Sequence, residues 1–199
     1  MRKTTGRLDN KIAVVTGGTQ GLGAEVARLF AERGAKGLVI CGRSRDKGEA
    51  KAREITERYG TPVHFVSADL GEVADCRRVI AAADEKFGRI DALVNVAAIT
   101  DRGTILDTDE ALFDRMFAIN TRAPFFLIQD AVKLMLRDGV EGTIVNISSR
   151  SSMAGQPFIA ALLRLQRRAG HADPQCRLRP LETPHPQQCA EYRLDGERR

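Results

Sequence analysis

Five short, almost unbroken apolar runs stand before residue 162, at 12–16, 37–41, 63–67, 92–95 and 143–147. Continuous apolar character without alternation is the pattern of strands buried on both faces, as in a parallel sheet covered by helices on either side. The intervening stretches are helical in period. Residues 22–33 put Val26, Leu29 and Phe30 on one stripe, and 73–87 carry Val73, Cys76, Val79, Ile80 and Ala83 at helical spacing. Gly34 and Gly88 stand where these helices should end. Residues 46–59 are mostly charged and predict an exposed helix. A long helical pattern from Asp109 to about Asp138 shows Leu112, Met116, Ile119, Leu127, Ile128, Val132 and Leu136, with Pro124 predicting a kink or break. Strand–helix alternation of this kind implies right-handed crossovers and an α/β, doubly wound parallel sheet.

The pattern stops at Leu162. From there to Arg199 the chain contains no Val, Ile, Phe, Lys, Met, Asn or Ser, while it holds eight Arg and four of the seven Pro. Such a segment cannot bury enough apolar surface to fold. The expectation is one domain over 1–161, cut off after its fifth strand, and a disordered or irregular tail over 162–199. The formal charge of +5 is divided unevenly, with eight Arg against five acidic residues in the tail. The remaining body is nearly neutral, which argues against a partner with a phosphate backbone. Cys41, Cys76, Cys176 and Cys189 show neither metal-ligand spacing nor a disulfide framework, so no metal site is expected. Residues 1–10 are polar and basic, unlike a secretory leader, and no apolar run reaches membrane-spanning length. Cytoplasmic location follows as the expectation, with neither a nucleic-acid nor a membrane partner.

The first apolar run passes directly into Thr16-Gly17-Gly18-Thr19-Gln20-Gly21-Leu22-Gly23, and a helical pattern follows. Glycines at 17, 21 and 23 allow a sharp turn and close approach of backbone to a pyrophosphate. The helix N-terminus behind them offers free N–H groups and a positive dipole end to the same anion. At the end of the second run, Gly42 precedes Arg43 and Ser44. An acidic residue there suits the ribose 2′-hydroxyl of NAD, whereas Arg suits the 2′-phosphate of NADP. NADP is therefore the preferred cofactor, with NAD as the alternative.

Thr-Gly-x-x-x-Gly-x-Gly in this position resembles the fingerprint of the short-chain dehydrogenase/reductase family, and the resemblance runs in order over residues 9–161. Its extended, epimerase-like branch has a different glycine spacing. Ala68-Asp69-Leu70 resembles the segment whose carboxylate faces the adenine. Leu93-Val94-Asn95-Val96-Ala97-Ala98 is similar to the family's Asn-Asn-Ala-Gly turn, with Val96 and Ala98 as departures. The resemblance implies that Thr16 to Gly23, Arg43, Ser44, Asp69, Leu70, Asn95 and Ala97 bind the dinucleotide. It also implies hydride transfer to or from a small alcohol or ketone, and a dimer or tetramer for an intact member. Phe117-Ala118-Ile119-Asn120-Thr121 matches the surroundings of a catalytic Asn that holds a water. Ile144-Val145-Asn146-Ile147-Ser148-Ser149 matches those of a catalytic Ser. Asn120 and Ser149 are the implied catalytic residues, with Ser149 also contacting substrate.

Family members place a Tyr thirteen residues after that Ser and a Lys four beyond it, the Lys lowering the Tyr pKa for proton transfer. Leu162 and Gln166 stand there instead, and neither can transfer a proton. This polypeptide is therefore expected to be inactive, a non-catalytic dinucleotide binder or nonfunctional product. Leu162 to Cys176 can be encoded so that reading begins one base later and yields Tyr-Cys-Ala-Ser-Lys-Gly-Ala-Leu-Ala-Thr-Leu-Thr-Arg-Asn-Ala, an active-site helix of the family type. One extra base near the Ala161 codon accounts for both the composition break and the missing pair; the rival account is a naturally divergent terminus. Sequencing the gene is expected to find that helix in the neighbouring frame, and its absence there would leave only the divergent terminus.

Overall fold

The computed structural model describes residues 8–101, 103–104 and 106–148. Five parallel strands, β1 (Ile12–Thr16), β2 (Gly37–Gly42), β3 (Val63–Ser67), β4 (Ala92–Asn95) and β5 (Thr143–Asn146), form one sheet in the order β3-β2-β1-β4-β5. The register pairs Val15 with Ile40 on one side and with Val94 on the other. Helices α1 (Gly21–Glu32), α2 (Arg45–Tyr59), α3 (Val73–Phe87), α4 (Glu110–Phe117) and α5 (Ala123–Arg137) connect them. The doubly wound parallel sheet expected from the alternation is therefore present.

Neighbouring residues of each strand serve opposite layers, which explains their continuous apolar character. Ala13, Val15, Leu38, Ile40 and Val94 pack with Ala27, Ala31 and Ile55 from α1 and α2. Val14, Val39, Leu93 and Ile144 pack with Val79, Ile80, Leu127 and Met135 from α3 and α5.

Three details differ from the periodicity reading. The face of α1 against the sheet is Gly23, Ala27 and Ala31, while Leu29 is 37% exposed. Small residues let the helix lie close to the strands, and Val26 and Phe30 cover the flanks. In α5 the buried residue of the last turn is Met135 and not Leu136, which is 59% exposed. At Pro124 the helix does not break. A five-residue π-helical turn, Ala118–Arg122, joins α4 to α5, and the backbone stays right-handed helical through it. Proline lacks an N–H and crowds the carbonyl four residues back, here that of Asn120, and a wider turn relieves both.

Asp91 pins the N-terminal ends of β1 and β4. Only 4% exposed, its carboxylate accepts hydrogen bonds from the Ile12 N–H at 2.9 Å, Lys11 Nζ at 3.1 Å, and Arg89 Nε and Nη2 at 3.0 and 2.6 Å. Burial opposes ionisation, but these donors, Arg89 foremost, outweigh it and hold the carboxyl below its usual range. The stability this provides is present above the unfolded carboxyl value of about 4. It is lost as pH falls through the lower native value. Asp91→Asn should cost about 1–3 kcal/mol at neutral pH by leaving the cations unmatched, and should flatten the acid limb of stability. Urea melts across the acid range check both, and an unchanged acid limb would count against this assignment.

Candidate functional site

The strand order reverses at β1, so the chain leaving β1 and the chain leaving β4 turn away to different layers and open a crevice at their C-terminal ends. Ligands of open parallel sheets occupy such a switch point. Here it is a cleft of about 370 Å³, walled by the loop after β1, the ends of β2 and β3, residues 96–99, Ile119 and Ile147.

Gly17 has φ +67°, and a Cβ on it would lie 3.1 Å from Ala97 Cα. A Cβ on Gly23 would fall 2.2 Å from the Gly17 carbonyl oxygen. Only glycine therefore lets the first turn of α1 rest against the loop that precedes it. Gln20, the N-cap residue of α1, makes no side-chain capping hydrogen bond. The first N–H groups of α1 thus carry their partial positive charge into an uncapped helix end.

Of the residues expected to bind the dinucleotide, Gly17, Thr19, Gln20, Gly21, Leu22, Gly23, Arg43, Asp69, Leu70 and Ala97 line the cleft, whereas Thr16, Gly18, Ser44 and Asn95 do not. Thr16 is 1% exposed, and its hydroxyl accepts hydrogen bonds from the Val96 N–H at 3.0 Å and the Ala97 N–H at 3.1 Å. Gly18 lies flat on Ile40, 2.7 Å from where its Cβ would be. Ser44 is the N-cap residue of α2, where its carbonyl accepts from the Gly48 N–H at 3.0 Å. Asn95 is 5% exposed and its Nδ2 donates to Asn146 Oδ1 at 2.8 Å. Its own Oδ1 is buried without a partner among the described residues. These four build the cleft from beneath and behind.

Arg43 is exposed at the rim. Among the described residues its guanidinium has neither an ion pair nor a hydrogen bond. Asp69 is also exposed, and its Oδ1 accepts from the Gly71 N–H at 2.9 Å, fixing the turn after β3. Cys41, against the cleft, is fully buried, and burial pushes its thiol up to about 12 despite a Gly17 backbone hydrogen bond acting the other way. It stays neutral and apolar in behaviour.

Asn120 lies in the π-helical turn and does not line the cleft. Its Oδ1 accepts from the Ile99 N–H and its Nδ2 donates to the Ile99 carbonyl, both at 2.9 Å. The amide thus holds the loop after β4 against the long helix, and Ile99 in turn lines the cleft. Ser149, Leu162 and Gln166 lie outside the described residues, which end one residue after Ile147 with the exposed Ser148. Cys41, Gly42, Ala68, Val96, Ala98, Ile99, Ile119 and Ile147 also line the cleft. Gly42, Ala68, Val96, Ala98 and Ile119 adjoin predicted residues, and Cys41, Ile99 and Ile147 each stand two residues from one. Ile119 and Ile147 are apolar residues whose place on the cleft wall the chain order alone does not reveal.

Among the described residues no group of His, Cys, Asp or Glu is arranged to hold a metal ion, and no helix is long and apolar enough to cross a membrane. Residues 11–161 match the family model described as short chain dehydrogenase. An uncharacterized oxidoreductase of Thermotoga maritima is 37% identical over 147 residues, which are 74% of this chain and 57% of that protein. The NADP-dependent (R)-specific alcohol dehydrogenase of Lentilactobacillus kefiri is 35% identical over 158 residues, covering 79% of this chain and 61% of that one. A short-chain dehydrogenase/reductase double mutant from Serratia marcescens superposes with a TM-score of 0.75 at 28% identity, covering 83% and 66% of the two chains. The chain belongs to the short-chain dehydrogenase/reductase family of oxidoreductases. It spans less than two thirds of the length of these curated relatives.

Removing the Asn120 amide strands a part-buried N–H and carbonyl at Ile99. Asn120→Ala is expected to lose about 1–3 kcal/mol of stability and to speed amide hydrogen exchange at Ile99. An Ile99 amide exchanging as in the unaltered protein would refute the clamp.

Proposed function

We propose that this chain binds a nicotinamide dinucleotide, NADP in preference to NAD, in the cleft at the β1–β4 switch point. The observation that carries the reading is the glycine cradle, where the Gly17 and Gly23 backbones meet at a separation no side chain would permit. It fits a pyrophosphate laid on the α1 N-terminus. Gly17 to Gly23 would hold the phosphates and Arg43 the adenosine 2′-phosphate, through paired charge-assisted hydrogen bonds. Asp69 and Leu70 would lie along the adenine side. Ala97 would border the cofactor, with Thr16 and Asn95 fixing the strand ends beneath and Ser44 starting the helix beside it. The dinucleotide supplies hydride exchange with a small alcohol or ketone, the chemistry of the family. The NADP-dependent relative supports the cofactor choice by likeness alone.

Asn120 positions Ile99 and the cleft wall, and Ser149 would hydrogen-bond the substrate oxygen. A proton must accompany the hydride, and Leu162 and Gln166, standing in the family's Tyr and Lys places, can neither donate nor accept one. The 199-residue polypeptide is accordingly read as a dinucleotide binder without turnover. Residues 1–161 would be an incomplete Rossmann domain and 162–199 a tail read out of frame. An intact counterpart would be a cytoplasmic dimer or tetramer. Titrating the chain with NADPH and NADH, then assaying a panel of alcohols and ketones, tests the reading. Saturable binding without turnover is the expected result. Turnover above background would overturn the inactive assignment, and failure to bind either dinucleotide would overturn the whole reading.

A further inference from the structure

Among the described residues β3 has a strand on one side only, β2. In a parallel pair, successive residues turn their N–H and C=O groups alternately toward the neighbour and away from it. The Leu38 N–H donates to the Pro62 carbonyl at 2.9 Å, and the Ala68 N–H donates to the Gly42 carbonyl at 3.0 Å. Even-numbered residues of β3 therefore serve β2, while Val63, Phe65 and Ser67 turn theirs outward.

Two helices reach this outward row at its ends. From α2, the half-buried Thr56 accepts the Val63 N–H at 3.2 Å on a hydroxyl that itself donates to the Ala52 carbonyl. From α3, Arg78 Nη2 donates to the Ser67 carbonyl at 2.5 Å, and its Nη1 lies 2.8 Å from Asp75 Oδ1. The second Asp75 oxygen accepts the Asp69 N–H at 2.7 Å. Each side chain thus supplies what a neighbouring strand would supply, an acceptor at Val63 and a donor at Ser67. Between them the Val63 C=O, both Phe65 groups and the Ser67 N–H have no partner among the described residues. An open groove of about 340 Å³ runs beside them, lined by His64 to Ser67, Glu49, Arg78 and Glu85.

An exposed strand edge is a template for a strand of another molecule. The pattern of open and closed groups fits one such strand, the same edge of a second copy. Two β3 edges related by a two-fold axis at Phe65 would run antiparallel and exchange both Phe65 hydrogen bonds. The next pair in that register sets Ser67 of one copy against Val63 of the other. Its bonds need the Ser67 N–H with the Val63 C=O, which are open, and the Val63 N–H with the Ser67 C=O. Thr56 and Arg78 hold the two members of that last bond.

We propose that Thr56 and Arg78 guard the β3 edge, withholding both halves of one hydrogen bond and so keeping a second copy of this chain from pairing there. Asp75 keeps the guanidinium in place. The guard is independent of the dinucleotide reading, because none of its bonds involves the cleft.

Sedimentation of the full chain over a concentration series, with amide hydrogen exchange at Phe65 and Ser67, tests this with Thr56→Val, Arg78→Met and the double variant. The double variant should self-associate at about tenfold lower concentration than the unaltered chain. Its Phe65 and Ser67 amides should gain protection as concentration rises. Arg78→Met alone changes an exposed side chain and should give part of the shift, even where Thr56→Val weakens folding. Arg78→Lys keeps a donor and should behave as the unaltered chain. Adding Ser67→Pro removes an outward N–H and no ladder donor, and should abolish the gain. Unchanged association in both Arg78→Met and the double variant would overturn the proposal. So would a gain that leaves Phe65 exchange unaltered or survives Ser67→Pro.

Discussion

Where β1 and β4 end side by side, their continuations part, and one buried hydroxyl holds the two exits together. Thr16 Oγ1 accepts the N–H groups of both Val96 and Ala97, so the loop after β4 is tied to the last residue of β1. That tie brings Ala97 against Gly17, and the closeness of Gly17 to Ala97 and of Gly23 to Gly17 sets the shape of the cleft. At the other end of the same strand pair Asp91 binds the Ile12 N–H and two cations. The pair is thus fixed at both ends, and the cleft sits on a rigid floor. A site built on strand ends is held more precisely than one built on free loops.

The sheet was legible because each strand had to satisfy two layers at once. Val14 and Val15 face opposite cores, and the resulting unbroken apolar runs stand out against polar helices. Helix faces were harder to read. On α1 the inward positions are Gly23, Ala27 and Ala31, residues chosen for smallness, and a search for large apolar side chains turns toward Leu29 instead. The same bias selected Leu136 over Met135. Pro124 announced an irregularity, but whether a helix answers proline by breaking or by widening depends on packing. Here the buried Ala123 and Leu127 stand on either side of the proline, and the backbone stays right-handed helical.

At the site, the sequence marked the glycine loop because glycine is required there by backbone geometry. It did not separate residues that touch the cleft from those that support it. Thr16 and Asn95 belong to the same motifs as Gly17 and Ala97 yet are buried at 1% and 5% exposure. Ile119 reaches the cleft from the π-helical turn and Ile147 from beyond β5, by contacts between segments far apart in the chain. Such residues become visible only once the fold has assembled them.

The division of labour along the chain has a physical basis. Among the described residues, the walls of the cleft come from residues 17–147, from strands whose two faces are covered by α1, α2, α3 and α5. The glycine cradle therefore draws its rigidity from core residues that precede the composition change at Leu162. In the proposed reading proton transfer asks for something else, a phenol and an ammonium, whose places by likeness to the family fall at Leu162 and Gln166. That proposal puts binding geometry and acid–base chemistry on opposite sides of one break in the sequence. Under the proposed reading, a chain altered only beyond the break keeps the glycine backbones, packed on the sheet, that would hold a dinucleotide, and lacks the phenol and ammonium that would move a proton.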